Sequence, residues 1–235
     1  MDFEAFERLV RERRAVRHFK PDALPEGLLD RLLDAAHWAP SGYNLQPTHF
    51  AVVTEPELRE RLLPSCMGQK QICEAPAVVV FLGDRDVINN NFEKVIQAEK
   101  DAGVINERYE QMLRKMVPLA FEKGPLRAHW LWKKFLLPMV RLVRPVPRLP
   151  AVEEEYWLTK QVMLSAMVFM LAATAAGLST VPMEGFDETK VKRILKIPRR
   201  FVAPLIMPVG YAVDEQLKKT RLPIHDLVHY NEWTK

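Results

Sequence analysis

A chain of 235 residues with 48% hydrophobic and 27% charged side chains is long enough for one domain with a sizeable core, and its composition excludes a disordered polymer. A net charge of +4 is mildly basic; it favours anionic ligands or surfaces and is too small to argue for nucleic acid. Two cysteines, Cys66 and Cys73, exclude a disulfide framework, and the acidic start Met1-Asp2-Phe3-Glu4 lacks a secretion signal's basic and apolar run, so a reducing cytoplasm is the expected setting.

In chain order, Phe3, Phe6, Leu9 and Val10 fall on one face of a first helix, and Leu28, Leu29, Leu32, Leu33 and Ala36 form the stripe of a second that ends near Trp38. His49 to Thr54 reads as a strand, Glu57 to Leu63 as a short helix, and Ala77 to Leu82 as an apolar, β-branched central strand. From 86 to 155 the character changes. Asp86 to Lys115 predicts two polar helices broken near Gly103. Gly124 to Pro150 interleaves Leu126, Trp130, Leu131, Phe135, Leu136, Leu137 and Met139 with basic residues, and no Asp or Glu occurs from Lys123 to Val152. These roughly 70 residues read as one helical insert within a single domain. Glu153 to Leu178 predicts a long helix. Gln161 to Met183 has no charged residue, so two readings stand: a membrane span, or a helix buried by its own fold or by a partner subunit. A loop, Val181 to Asp187, leads into a helix at Glu188 to Leu195, and Phe201 to Val209 is another strand. Strands separated by helices predict an α/β arrangement with helices on both faces.

Four short segments carry candidate chemistry. Arg13, Arg14 and Arg17 read as a solvated helix end or as forked donors for a phosphate. A second basic pair, Lys219 and Arg221 beside Lys218, gives a reason for both clusters if they converge on one anion. Ala39-Pro40-Ser41-Gly42-Tyr43-Asn44-Leu45-Gln46-Pro47 is a stiff turn whose Asn44 and Gln46 amides brace the turn or read the edge of a heteroaromatic ring. Pro182-Met183-Glu184-Gly185 is a plain connection or a rigid loop offering backbone N–H groups to a flat ligand. His225 and His229 are four apart, but lack a third ligand, so no metal site is expected. No Gly-x-Gly occurs, which excludes a dinucleotide fingerprint and a P-loop. The methionines at 112, 116, 139, 163, 167 and 170 read as core or lid packing.

In this order and spacing, Arg13-Arg14-Ala15-Val16-Arg17, the Ala39–Pro47 segment, Pro182-Met183-Glu184-Gly185-Phe186-Asp187 and Lys219-Thr220-Arg221-Leu222-Pro223 resemble the nitroreductase family of FMN-dependent oxidoreductases. The resemblance covers roughly residues 5–83 and 156–223. It implies an α+β flavoprotein with a central, mainly antiparallel sheet flanked by helices, and an obligate homodimer with two FMN sites between subunits. Arg13, Arg14, Ala15, Arg17, Lys219 and Arg221 would hold FMN from one subunit, with Pro182, Met183, Glu184 and Gly185 along one flavin face and Gln71 near its pyrimidine edge. Pro40, Ser41, Asn44 and Gln46 would come from the other subunit. Members often carry Ser at the place of Ala15, so phosphate binding leans here on the basic side chains.

The implied chemistry is ping-pong hydride transfer from NADH or NADPH to a nitroaromatic, a quinone or a related electron-poor acceptor, with Arg17 placing positive charge near reduced flavin and no essential side-chain acid or base. Other readings of such a chain are an FMN-binding redox sensor without turnover and a specialised member, a dehalogenase or a flavin-cleaving enzyme. Ile105, four residues before Tyr109, lacks the Glu that deiodinase-like lids place there. The insert has three readings: a lid that selects a bulky apolar acceptor, a peripheral contact with an anionic membrane through Leu126 to Arg148, or a packing helix with snorkelling basic stems.

Overall fold

The structure, a computed structural model, describes residues 2–122, 124, 128–213 and 219–233; Leu126, Arg127 and Lys218, and the side chains of Trp132 and Leu137, lie outside it. Its centre is strand β2, Ala77–Asp84, of which every residue is buried. Alternation divides that strand between two cores. Val78, Val80 and Leu82 enter one with Val53, Ile72, Met183 and Ile206. Ala77, Val79 and Phe81 enter the other with Val162, Phe169, Leu205 and Met207. A strand with both faces covered reads as an unbroken apolar run, as this one does.

β1 (Thr48–Val53), β3 (Ser179–Thr180) and β4 (Phe201–Gly210) complete a four-stranded sheet of order β1-β2-β4-β3, antiparallel at every pairing. The fold is thus α+β. This corrects the α/β arrangement expected from the alternation of strands and helices, and it is the mainly antiparallel α+β fold that the resemblance implies. The helices between β1 and β2 are α3 (Pro56–Leu62) and α4 (Gln71–Glu74). At about 1.5 Å per residue the longer of them runs about 10 Å, about half the length of the strands it connects. They turn the chain round at one end of the sheet instead of carrying it back for a parallel return.

Flanking helices are α1 (Phe3–Glu12), α2 (Leu28–His37), α8 (Glu154–Ala175) and α9 (Glu188–Ile194). One side of α8 presses Leu158, Val162, Ala166, Phe169 and Ala173 into the fold, while Tyr156, Leu164 and Met167 on another side stay exposed. By length and composition alone α8 could cross a membrane. Its buried side instead forms the middle of the second core, against the sheet and α2, as in a core helix. The exposed side is the surface for which the sequence reading reserved a partner subunit.

The insert is helical: α5 (Val87–Asp101), α6 (Glu107–Phe121), which runs beyond Lys115 through Pro118, and α7 (Ala128–Arg141). Val87, Phe92, Ile96, Leu113 and Val117 of α5 and α6 make a third apolar cluster around the fully buried Leu45. The insert therefore packs on the Ala39–Pro47 segment itself. Of the methionines assigned to packing, Met112, Met116, Met139 and Met167 are exposed, and Met170 is buried.

Candidate functional site

The two basic clusters, some two hundred residues apart in sequence, do meet. Arg13, Arg14, Ala15, Lys219, Thr220 and Arg221 line one pocket of about 250 Å³. α1 brings the first cluster there, ending at Arg13, whose N–H donates to the Leu9 carbonyl at 3.0 Å. Lys219 brings the second: its Nζ donates to the carbonyls of Arg11 and Glu12, the last turn of the same helix. A lysine on terminal carbonyls satisfies orphan acceptors and complements the helix dipole. Removal from water, and then the Arg13 and Arg14 guanidiniums, hold the Lys219 ammonium below the usual lysine range; Arg221 acts in the same sense and Glu12 against it. Cations crowded around one opening are relieved by an anion, and two guanidinium forks beside an ammonium suit a phosphate.

Ala15 connects this pocket to the next motif. It pairs with Thr180 in a β-bridge, and the Val16 N–H donates to the Thr180 carbonyl at 3.1 Å. The chain then continues along β4, where Met183 exchanges hydrogen bonds with Ile206 at 2.8 and 3.0 Å. Met183 is buried and Pro182 half-buried, and after them Glu184 and Gly185 emerge into solvent. Among the described residues the N–H groups of Glu184 and Gly185 donate to no protein acceptor. Asp187 anchors the far end: its N–H donates to the Ser65 carbonyl at 2.8 Å, and its carboxylate accepts from the Lys190 N–H at 3.0 Å, capping α9. That backbone bond holds its carboxyl below the usual range. Gln71 is buried and donates to Gln69 Oε1 at 3.1 Å, and Gln69 Nε2 donates to the Gly185 carbonyl at 3.0 Å. Gln71 thus reaches the loop through Gln69, which the sequence reading did not single out.

The Ala39–Pro47 segment is held differently. Tyr43, Asn44 and Gln46 all adopt left-handed backbone, with φ of 56°, 53° and 51°. Each such residue costs about 1–2 kcal/mol, least for Asn, and strain of this kind persists only where the surroundings over-determine it. Here they do. Ser41 Oγ accepts from the Gln46 N–H at 2.9 Å, and Asn91 donates to the Leu45 and Gln46 carbonyls at 2.9 and 3.1 Å. The Gly42 N–H donates to Gln161 Oε1 at 2.8 Å, and a Cβ at Gly42 would stand 3.2 Å from the Trp157 ring. Gln46 Nε2 contacts Asn44 Oδ1 at 3.2 Å, and Asn44 Nδ2 contacts Glu99 at 3.2 Å. Pro40 is exposed at the head of the turn. Gln161, Trp157 and Asn91 were not marked as site residues. The one available signal was a lone glutamine within an uncharged apolar helix.

Within one chain these residues form two groups. Arg13, Arg14, Ala15, Gln71, the Pro182–Gly185 loop, Lys219 and Arg221 lie on connected backbone. No described hydrogen bond or ion pair joins them to Ser41, Asn44 or Gln46. α8 stands between: Thr159 and Met163 line a pocket of about 350 Å³ with Glu184 and Phe186, while Gln161 holds Gly42. Arg17 is exposed and outside the basic pocket. Among the described residues no group of His, Cys, Asp and Glu is placed to hold a metal, and His229 stacks on Trp233 at 3.9 Å.

Known proteins resemble this chain over most of its length. The sequence profile of the Nitroreductase family matches residues 10–211. An "NADH dehydrogenase" of Thermus thermophilus is 31% identical over 217 residues, 92% of this chain and 91% of that one. An "Oxygen-insensitive NAD(P)H nitroreductase" of Enterobacter cloacae is 26% identical, covering 85% of this chain and 86% of that one. The solved structure of ydfN from Bacillus subtilis superposes with a TM-score of 0.77 at 26% identity, over 97% of this chain and all of that one.

Proposed function

The chain belongs to the nitroreductase family and is an oxidoreductase; from that premise we propose that it reduces nitroaromatics, quinones or related electron-poor apolar acceptors at NAD(P)H's expense, by ping-pong hydride transfer. FMN is its cofactor, and bound FMN supplies the chemistry by accepting a hydride and delivering it. The carrying observation is the pocket in which Arg13, Arg14, Lys219 and Arg221 converge, linked through the Ala15–Thr180 bridge to the Pro182–Gly185 loop.

The residues fit the group. The basic pocket would hold the phosphate, and the N–H groups of Glu184 and Gly185, which meet no described protein acceptor, would serve the flavin as donors. Gln69 and Gln71 hold that loop in place. Arg17 offers positive charge where negative charge develops. A pocket of about 250 Å³ lies below the about 300–1,000 Å³ that enclose a drug-sized ligand. It is of a size for the phosphate end alone. In a homodimer Pro40, Ser41, Asn44 and Gln46 complete the site from the second subunit, with the exposed Leu164 and Met167 of α8 at the interface. A cytoplasmic location belongs to the same proposal.

The test is a visible spectrum of the purified protein followed by anaerobic NADH or NADPH. Flavin absorbance that bleaches, then returns on adding a quinone or nitroaromatic, is the expected result. A colourless protein that takes up no FMN sinks the cofactor assignment. A flavoprotein inert to both nucleotides sinks the reductase and leaves a sensor.

A further inference from the structure

Most of the described side chains of α7 are exposed. Among its described side chains Lys133 is the buried one; its Nζ donates to the carbonyls of Leu119 at 2.5 Å and Glu122 at 2.6 Å, the end of α6. Burial pushes that ammonium below the usual lysine range, with Glu122 opposing. This tether fixes one side of α7 against α6. Away from it, Leu131, Phe135, Met139 and Leu142 recur at spacings of four, four and three, one face of a helix. Phe135 is 68%, Met139 64%, Leu142 87% and the adjoining Val143 88% exposed. A soluble protein does not ordinarily leave a continuous apolar stripe of this kind in water.

The charge of the same segment is as one-sided. Residues 123–152 contain seven Lys or Arg and no Asp or Glu, so the net +4 resolves into +7 here and −3 on the rest of the chain. Lys134 lies over the Trp130 ring at 4.9 Å, Arg141 reaches the Pro147 carbonyl at 3.4 Å, and Arg144 is exposed. None of these three is in a described ion pair.

We propose that α7 and the turn after it dock the protein on an anionic lipid surface. Leu131, Phe135, Met139, Leu142 and Val143 enter the boundary between headgroups and acyl chains, while Lys134, Arg141 and Arg144 stay at phosphate level. An apolar stripe beside a purely basic face is the pattern of interfacial helices. The stripe runs along α7 into the turn after it, and a bilayer accepts such a stripe without a complementary groove. A second copy meeting it face to face would bring two such basic segments together, which like-charge repulsion opposes. Docking is independent of the reductase reading, and its test reads binding alone.

The full-length, flavin-loaded protein is sedimented with phosphatidylcholine vesicles, with and without phosphatidylglycerol. The expected result is binding about tenfold or more tighter to the anionic vesicles, falling steeply with salt. K134Q with R144Q weakens it by about 25-fold, since each basic residue near such a surface contributes about fivefold. F135S with L142S weakens it about tenfold or more. Both variants keep their flavin content and their reduction of a soluble acceptor, which shows that they fold. Equal binding to both vesicle types, or binding that neither variant weakens, overturns the proposal. So does a change in sedimentation coefficient of F135S/L142S without loss of lipid binding, which would mean that a second copy covers the stripe.

Discussion

The Ser41–Gln46 loop and the Arg13–Lys219 pocket are both assigned to one cofactor, yet opposite physics holds them. The loop is over-determined: three left-handed residues are kept in place by Asn91, Gln161, Ser41 and the buried Leu45. The pocket is a charge cluster: its cations are brought together by chain connectivity and one helix end. A binding site can be prepared by storing strain in a packed loop or by storing repulsion in a charge cluster. The first is paid in folding and the second is released by the ligand.

The largest effect expected from this contrast is on the charged side. Arg13→Ala with Lys219→Met removes two charge-assisted contacts worth about 1.5–3 kcal/mol each, so FMN affinity falls by about a hundredfold or more. Fluorescence titration of released flavin reads it, and unchanged affinity would take the phosphate away from this pocket. On the packed side, Gln161→Leu strands the Gly42 N–H at a cost of about 1–3 kcal/mol. Its melting temperature drops by roughly 2–10 °C, while the affinity of the apoprotein for inorganic phosphate stays the same. Loss of phosphate binding in that variant would mean that the two regions are one unit.

Smaller effects separate the regions further. Inorganic phosphate at about ten times its Kd raises the apoprotein's melting temperature by about 3–6 °C at low salt, and fails to do so in R13A/K219M. Scanning calorimetry decides this. The pH dependence is the subtlest. Lys219 is held below the ordinary lysine value of 10.5 in the folded chain, so there the native state binds fewer protons than the unfolded one. Apoprotein stability therefore rises with pH through the window ending at 10.5, and FMN binding, which prefers the ammonium, weakens through the same window. A flat profile in K219M and a sloped one in the parent is the expected pair.

Much of the site was legible because its recognition groups sit in short, locally stiff segments. Arg13–Arg17, Pro40–Pro47, Pro182–Gly185 and Lys219–Arg221 each announce themselves by clustered Arg, Pro, Gly or amide side chains. The supporting groups did not. Gln69, Asn91, Trp157 and Gln161 act through single contacts to backbone atoms far away in sequence, and a lone Gln or Asn carries no local pattern. The fold was legible to the same degree. The apolar run Ala77–Leu82 identified a doubly covered strand, but such a run is the same in parallel and antiparallel sheets.

By itself the sequence determined most of the helices, the strands β1, β2 and β4, the basic clusters, the stiff turn and the acid-free segment from 123 to 152, because these follow from local periodicity and composition, whereas the two-residue β3 carries too little pattern. No local pattern decided strand direction, the meeting of Arg13 with Lys219, the packing of the insert on Leu45 or the division of the site residues into two groups; the tertiary structure shows each of them. Those outcomes depend on which distant surfaces bury one another, and burial is a property of the whole chain rather than of any window along it.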